Sequence, residues 1–568
     1  AVGPVTASDF ETTPNLKRTH VWLWTMAEVG GPGLTWGTSI QSFMRYVVKE
    51  RVEKTFFHNL AFDGRFIIDH LFRSGYSFTK RRRPRPGQFN CIMSSKNKLY
   101  QVRVCFSSKH TLTVWDSYKL FPFSVETLGK KLGDGVTKGE IDHKKDRPVG
   151  YKPTPEEIDY GLRDVVIVAK ALQTLDGGPG KMTIGANALA DYKDRFGKNR
   201  FRKVFPVLSL EEDAEVRAAY RGGYTYVRPD RAGKVTGEGI SVDYNSMFPS
   251  QMWRELPYPV GYPERFEGRY AEDAGYPLYV QRLTCSFRLK PRHVPTIQVK
   301  GSAFYGNHEY VEQSVEPVSL ALTSVDLDLF FENYDVDVWS WDGGLKFMAK
   351  PGEELFGCYY EHWGRKKQES EGAEREEAKL YNNNLYGKFA TNPDVTGKLP
   401  YFDEETDTVR WMLDEPETRE PVYIPVSAFT TAYARKAQIE AILVNWDRFI
   451  YTDTDSLHLD GTEPPEGVRL HEKDYHAWKV EEDYIRAKHL RAKCYVLEHS
   501  DGSLTVKCAG MPDNVKKLVT FDTFEFGFTN AVPDGEGGWT VPPGQGKLLP
   551  KAVPGGVVLV DSIYCLHP

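Results

Sequence analysis

The sequence predicts a multidomain protein of mixed α/β class, with α+β parts. Three observations carry this. Its 568 residues exceed what one hydrophobic core serves. Strand-like and helix-like stretches both recur along the chain. Short acidic motifs close strands or ride on helices in widely separated segments. Hydrophobic residues make up 40% and aromatics 13%, enough to fill ordinary globular cores. The net charge is −5, from 73 Lys+Arg against 78 Asp+Glu, so any site for a polyanion must be local. Seven scattered cysteines without a Cys-x-x-Cys pair argue against a zinc or iron–sulfur module and against a disulfide framework, and fit a reducing cytoplasm. No apolar run is long enough to span a bilayer, and there is no signal peptide, internal repeat or low-complexity tract.

In chain order, residues 7–13 read as a strand carrying Asp9 and Glu11 on one face, and 21–24 as the next strand. Phe56-Phe57 is an apolar strand leading to His58, Asn59, Phe62 and Asp63. Asp63 opens a helix over 66–73, where it can also serve simply as an N-cap. The run 80–87 is a basic loop able to meet phosphates. Thr154-Pro155-Glu156-Glu157 is a capping-box start for a helix to Leu172, with Tyr160 and Asp164 on one face. Around 191–203 the composition turns polar and basic, which suggests a domain junction.

Tyr220-Arg221-Gly222-Gly223-Tyr224 supplies glycines for a close backbone approach, with an arginine and tyrosines able to reach phosphates. A β-rich run ends at Asp243, whose neighbour Tyr244 can offer a backbone carbonyl to a metal, and a helix begins near Pro249. Residues 279–287 and 295–300 read as strands within a segment where no chemistry is legible. Residues 364–389 read as one helix on which Arg375, Lys379 and Tyr386 fall within roughly 40° of one another. A hairpin is expected over 396–413, a helix start at Thr431 to Arg435, a hairpin turn at Asp501-Gly502, and a strand over 557–563 in a small β-rich C-terminal unit.

Tyr451-Thr452-Asp453-Thr454-Asp455-Ser456 is the stretch that organises the rest. Apolar, β-favouring residues flank a tight Asp-Thr-Asp, which reads as a strand entering a turn. Two carboxylates on one face repel unless a cation sits between them, and Mg²⁺ prefers such oxygens. Taken alone, Asp-x-Asp is more often a solvated turn, and a sugar-nucleotide transferase uses the same pattern.

Further motifs narrow the choice. Asp-x-Glu, Asn-x-x-x-Asp and Tyr-x-x-x-Asp resemble the motifs of the DEDDy 3′–5′ exonucleases. Asp243-Tyr244-Asn245-Ser246-Met247-Phe248-Pro249 resembles the D-x-x-S-L-Y-P motif of family B DNA polymerases, with Met-Phe for Leu-Tyr. Lys379 to Gly387 resembles the K-x-x-x-N-x-x-Y-G fingers motif, and Lys493-Cys494-Tyr495 the K-x-Y motif. Their order, with the stretches 385–398, 507–511 and 554–561, resembles the protein-primed family B polymerases of the bacteriophage phi29 type.

The resemblance implies a right-hand polymerase with an RNase H-like exonuclease domain at 1–183, palm at 184–254 and 425–507, and fingers at 354–390. It also implies insertions at 255–353 and 391–424 and a thumb at 508–568. By resemblance, Asp243, Asp453 and Asp455 are the synthetic carboxylates, with Asp243, Asp455 and the Tyr244 carbonyl on metal. Asp9, Glu11, Asp63 and Asp164 hold the exonuclease metals, Tyr160 orients the water, and Lys138 lies near the scissile phosphate. Phe248, Lys367, Arg375, Lys379, Asn383 and Tyr386 take the incoming nucleotide. His58, Asn59, Phe62, Tyr220, Gly222, Gly223, Thr431, Arg435, Lys493 and Tyr495 touch DNA. The implied cofactor is Mg²⁺, for which Mn²⁺ can substitute, with dNTPs as substrates. The implied partners are template and primer DNA and a terminal protein that primes. The first insertion contacts that protein, and the second closes a ring round DNA, giving processivity and strand displacement. The implied setting is the cytoplasm of an infected bacterium, the enzyme being a monomer that pairs with the terminal protein at initiation. A nucleic-acid-primed family B polymerase and a non-catalytic DNA-binding relative are the alternatives.

Overall fold

A computed structural model describes residues 3–132, 135–175 and 177–568. The mixed, multidomain class holds. The N-terminal part is built on a sheet buried on both faces. Strand Val5–Thr12 pairs antiparallel with Val21–Glu28 and parallel with Lys54–Phe57, which in turn pairs parallel with His110–Asp116. The period of two shows at Phe56 and Phe57, which enter different cores. Ala7, Phe56, Ile167 and Val168 fill one. Phe10, Phe57, Phe66 and Ile67 fill the other.

Helix Pro155–Gln173 starts at its expected capping box: Thr154 Oγ1 accepts from the Glu157 amide at 3.2 Å, and the Glu157 carboxylate accepts from the Thr154 amide at 3.0 Å. Helix Leu60–Arg73 begins earlier than the sequence suggests. Asn59, in the left-handed region at φ 70°, turns the chain into it, so Asp63 stands in the first turn and is not the cap.

Residues 191–203, read as a junction, fold as the end of helix Ile184–Phe196 and most of helix Lys198–Val204. Their polar residues face solvent, while Tyr192, Phe196 and Phe201 are buried with Phe356 and Phe389. The expected single helix over 364–389 is two antiparallel helices, Gly352–Glu369 and Gly372–Asn384, then a short turn Tyr386–Phe389. The break falls just before Gly372, whose φ of 58° lies in the left-handed region that favours glycine.

A central sheet runs Trp478–Tyr484, Gly239–Tyr244, Ser456–Asp460, Phe449–Asp453, Thr225–Val227. Helix Ile424–Val444 packs beside it, opened by Pro425 in its first turn. Thr431 and Arg435 therefore lie mid-helix, not at a helix start. The segment after Met252 forms a separate antiparallel sheet ordered Pro257–Phe266, Tyr334–Pro351, Leu278–Leu289, Val318–Thr323. The expected strand over 279–287 is there. Residues 295–300 are not a strand: the Tyr334 hydroxyl accepts the Thr296 amide at 3.0 Å in place of a ladder bond.

The hairpin Gly397–Asp403 with Thr408–Leu413 forms as expected and adds to the N-terminal sheet through Gly397↔Ser94 and Lys398↔Met93. The expected C-terminal strand is Gly556–Ser562, paired with Lys547–Val553. Its turn closes on the N-terminal part: Val557 joins the core of Phe66, and the Thr19 amide donates to the Pro554 carbonyl at 2.9 Å. Among the described residues no helix is long and apolar enough to cross a membrane.

Candidate active sites

The organising turn sits where three strands meet. Ser456 pairs with Asp243 on one side and Asp453 on the other. Thr454 lies in the left-handed region at φ 56°, and the Asp455 amide reaches back to the Asp453 carbonyl at 2.6 Å. Asp453 and Asp455 are thus brought together by a tight turn, not by alternation along an extended strand. The Tyr244 amide donates to the Asp455 carbonyl at 2.7 Å, fixing the two motifs to each other.

Asp243, Asp453 and Asp455 line one cavity of about 710 Å³, with Lys493 and Tyr495 on its wall. Burial, then the neighbouring Asp455 charge, pushes the Asp243 carboxyl up to about 7. Burial likewise raises Asp455 to about 6. Asp453 is held differently. Lys493 Nζ donates to both its oxygens at 3.0 and 3.1 Å, and Thr225 donates at 2.8 Å.

An adjoining cavity of about 450 Å³ contains Asp243, Asp455, Tyr244, Phe248, Lys367, Arg375, Lys379, Asn383 and Tyr386. The two antiparallel helices deliver the cations and the central sheet delivers the carboxylates. Phe248 and Tyr386 meet with ring centroids 4.2 Å apart. Burial and the charges of Arg375, Lys379 and Lys479 bring the Lys367 ammonium down to about 8. Cations crowded this closely favour a polyanion.

A second acidic cluster lies in the N-terminal part. Strand Val5–Thr12 offers Asp9 and Glu11, helix Leu60–Arg73 offers Asp63, and helix Pro155–Gln173 offers Tyr160 and Asp164. Burial, then the Asp164 charge, raises Asp9 to about 7, and burial followed by the neighbouring carboxylates raises Glu11 and Asp63 well above the usual range. Lys138 Nζ is 3.5 Å from Asp164 and lies over the Tyr160 ring at 5.7 Å.

Among the described residues no three His, Cys, Asp or Glu side chains already sit close enough to hold one ion. The donor set nevertheless suits a hard divalent cation. It is all oxygen, and Asp63 and Asp164 each keep a buried carboxylate oxygen without a hydrogen-bond partner.

Comparison with known proteins decides the family. The model for DNA polymerase type B, organellar and viral, matches residues 44–148 and 133–470. The chain is 41% identical to the DNA polymerase of Bacillus phage phi29 and 40% identical to that of Bacillus phage M2, over 98% of each chain. It is 30% identical to that of Streptococcus phage Cp-1 over the same share. The solved phi29 DNA polymerase, complexed with primer-template DNA and incoming nucleotide, superposes with a TM-score of 0.91 at 40% identity over 100% of both chains. The chain belongs to the phi29-like type B DNA polymerases.

In this phi29-like polymerase several expected DNA contacts have other work. Arg435 is 3% exposed and its guanidinium is filled: it pairs with Asp326 at 2.8 to 3.1 Å and donates to the Arg221 and Gly222 carbonyls at 2.7 Å. It holds the glycine loop from beneath rather than reaching a phosphate. Thr431 is buried, its hydroxyl bonded back to the Ser427 carbonyl at 3.1 Å. Arg221 is buried and donates to the Ala321 carbonyl, and the Tyr224 hydroxyl donates to the Pro295 carbonyl. Both ring nitrogens of His58 are taken, by Ser117 and the Phe123 carbonyl, so it anchors that segment.

Gly223, not Gly222, makes the close approach: a Cβ there would lie 2.5 Å from Thr454 Oγ1, whereas Gly222 has open space. Asn59, Tyr220, Phe62, Lys493 and Tyr495 are at least partly exposed. The basic loop 80–87 flanks the added hairpin, with Lys80 Nζ 2.5 Å from Asp414.

Sequence reasoning missed Lys479, Glu481 and His143. Lys479 is the ladder partner of Asp243 and lies 3.0 Å from Glu481, and both line the cation-rich cavity. Residues two apart on that strand share a face, but nothing marked the strand as Asp243's neighbour before the fold was known. His143 Nδ1 is 3.9 Å from Glu11, and its ring is 5.9 Å from that of Tyr160. It sits in a loop with no spacing to betray it.

Proposed function

We propose that this phi29-like polymerase copies DNA from a protein primer and proofreads with a separate 3′–5′ exonuclease. The observation that carries the reading is the shared cavity: Asp243 and Asp455 face Lys367, Arg375, Lys379 and Asn383 across it. Asp243, Asp455 and the Tyr244 carbonyl would hold Mg²⁺ or Mn²⁺ at the synthetic site, and Asp9, Glu11, Asp63 and Asp164 would hold it at the trimming site. A divalent ion bound there supplies Lewis acidity, lowering the pKa of the attacking hydroxyl or water and neutralising charge on the leaving oxygen. The cations neutralise the triphosphate of a dNTP. The Phe248 ring sits where a 2′-hydroxyl would clash, and Tyr386 beside it offers a face for the new base pair. Lys493 holds Asp453 and stands ready for the primer terminus. In the second cluster Tyr160 orients water while Lys138 neutralises the scissile phosphate. Asn59 and Phe62 grip a frayed 3′ end, Phe62 by stacking.

The domain plan follows: exonuclease at 1–183, palm at 184–254 and 425–507, fingers at 354–390 and thumb at 508–568. The sheet over 255–353 receives the terminal protein. The hairpin within 391–424, joined to the N-terminal sheet and near the C-terminal hairpin, encircles DNA and gives processivity and strand displacement. The enzyme acts as a monomer, paired with the terminal protein at initiation, in the cytoplasm of an infected bacterium. Incubating the polymerase with its phage's terminal protein and labelled dATP, dGTP, dCTP or dTTP tests priming. A covalent protein–nucleotide adduct is expected with one of them. Extension of DNA primers with no adduct from any dNTP would leave a nucleic-acid-primed enzyme.

A further inference from the structure

One thiol pair stands apart from the scattered cysteines that the sequence shows. Cys494 and Cys508 are direct partners in the antiparallel ladder of strands Cys494–Glu498 and Leu504–Cys508. Their sulfurs are 3.5 Å apart. Directly opposed residues in such a ladder have Cα atoms about 4.5 to 5.5 Å apart, inside the window of about 4.4 to 6.8 Å that a disulfide spans. Closing the bond to about 2.05 Å therefore needs side-chain rotation rather than movement of the strands.

The pair has a way in. Cys494 is fully buried and Cys508 is 5% exposed, and of the two only Cys508 lines the 710 Å³ cavity that also holds Asp243, Asp453 and Asp455. Lys507 and Lys516 stand on the same wall. The Cys508 sulfur has the Tyr564 hydroxyl at 3.5 Å as well as the Cys494 thiol at the same distance, and it is the sulfur of the pair that borders the cavity. Cys508 is thus the entry thiol and Cys494 the resolving one. The neighbours give the bond a consequence. Cys494 lies between Lys493, which holds Asp453, and Tyr495, which packs on Tyr451. Cys508 ends strand Leu504–Cys508, and the C-terminal segment follows it.

We propose that Cys494 and Cys508 form an oxidisable dithiol that reacts with low-molecular-weight disulfides, such as oxidised glutathione, through the polymerase cavity. The Cys508 thiolate attacks one sulfur of the small disulfide, forming a mixed disulfide and releasing a thiolate that takes up the Cys508 proton from solvent. The Cys494 sulfur then attacks Cys508 Sγ and expels the second small thiolate, which takes up the Cys494 proton. The protein loses two electrons and two protons, and one small disulfide becomes two thiols. The product ties the residue next to Lys493 to the end of strand Leu504–Cys508.

Trypsin reads this directly, because Lys493, Lys507 and Lys516 place the two cysteines on separate peptides, 494–507 and 508–516. The full-length protein is incubated under native conditions with oxidised glutathione, alkylated, digested without reductant and weighed. The expected product is the two peptides joined, two hydrogens lighter than their sum, and reversed by dithiothreitol. Cys494→Ser should stop at glutathione on peptide 508–516, and Cys508→Ser should leave peptide 494–507 free of glutathione. Two separately alkylated peptides from the unaltered protein, or glutathione on Cys494 ahead of Cys508, would overturn the proposal. That readout in the unaltered protein depends neither on the variants folding nor on any DNA synthesis.

Discussion

Adding one methyl group at Gly223 should displace the Asp453-Thr454-Asp455 turn. A Cβ there would lie 2.5 Å from Thr454 Oγ1, 2.6 Å from Cγ2 and 2.9 Å from Cβ. Ordinary contact begins at 3.4 Å, so the turn must retreat by about 0.9 Å. It cannot simply rotate Thr454 away, because Cβ itself is in the way and the Thr454 amide is bonded to the Tyr224 carbonyl at 2.7 Å. Asp453 and Asp455 flank Thr454 and move with it. A misplacement near 1 Å costs about 10²-fold in rate, or about 2.7 kcal/mol of barrier. Single-nucleotide insertion by Gly223→Ala should therefore lose about two orders of magnitude in kcat, while degradation of single-stranded DNA at the distant acidic cluster stays near normal. Thr454→Gly removes all three clashing atoms and suits φ 56°, so Gly223→Ala with Thr454→Gly should recover most of the loss. If Gly223 acts only by passing close to template, the second change will recover nothing, and that additive outcome would refute the packing argument.

Three further outcomes follow from the same geometry. Arg435→Ala strips the partner from buried Asp326 and should cost about 3 to 5 kcal/mol of stability in thermal melts; unchanged melting with weaker DNA binding would restore Arg435 to a phosphate contact. Asp243 and Asp9, raised to about 7, and Asp455, raised to about 6, give the metal-free protein stability that is complete below about pH 4 and lost as pH rises through 6 to 7. The rise in melting temperature on adding Mg²⁺ should accordingly be larger at pH 8 than at pH 5.5, and equal rises would count against the carboxylates as the ion's ligands. Lys479→Gln should raise the KM for dNTP about tenfold, worth about 1.4 kcal/mol, with kcat changed less and with recovery in Lys479→Arg; an unchanged KM would leave Lys479 as a mere partner of Glu481.

Much of the site was legible because its residues sit at ends the sequence marks. Asp243 closes an apolar strand, the capping box at Thr154 sets the register of Tyr160 and Asp164, and the apolar pair before His58 announces the strand leading to Asp63. What failed were inferences from local exposure. Arg435 reads as a surface cation on a helix, yet its partner Asp326 lies over a hundred residues away in sequence, and no local pattern reports a buried long-range ion pair. Gly222 and Gly223 look equivalent until Thr454 is placed against only one of them. The break at Gly372 was hidden because Lys367, Arg375 and Lys379 suit one long helix as well as two short ones. Residues 295–300 carry strand propensity but are held by the Tyr334 hydroxyl, which propensity cannot see.

The sharpest measurement asks whether building and trimming live in separate acidic sites. Asp455→Asn, and separately Asp9→Ala with Glu11→Ala, are purified as folded proteins and given the same labelled primer, hybridised or single-stranded, with Mg²⁺ and dNTPs. The first should extend nothing yet still shorten the single strand; the second should extend fully and shorten nothing. Extension surviving in Asp455→Asn, or both activities vanishing together in either folded variant, would contradict the two-site assignment.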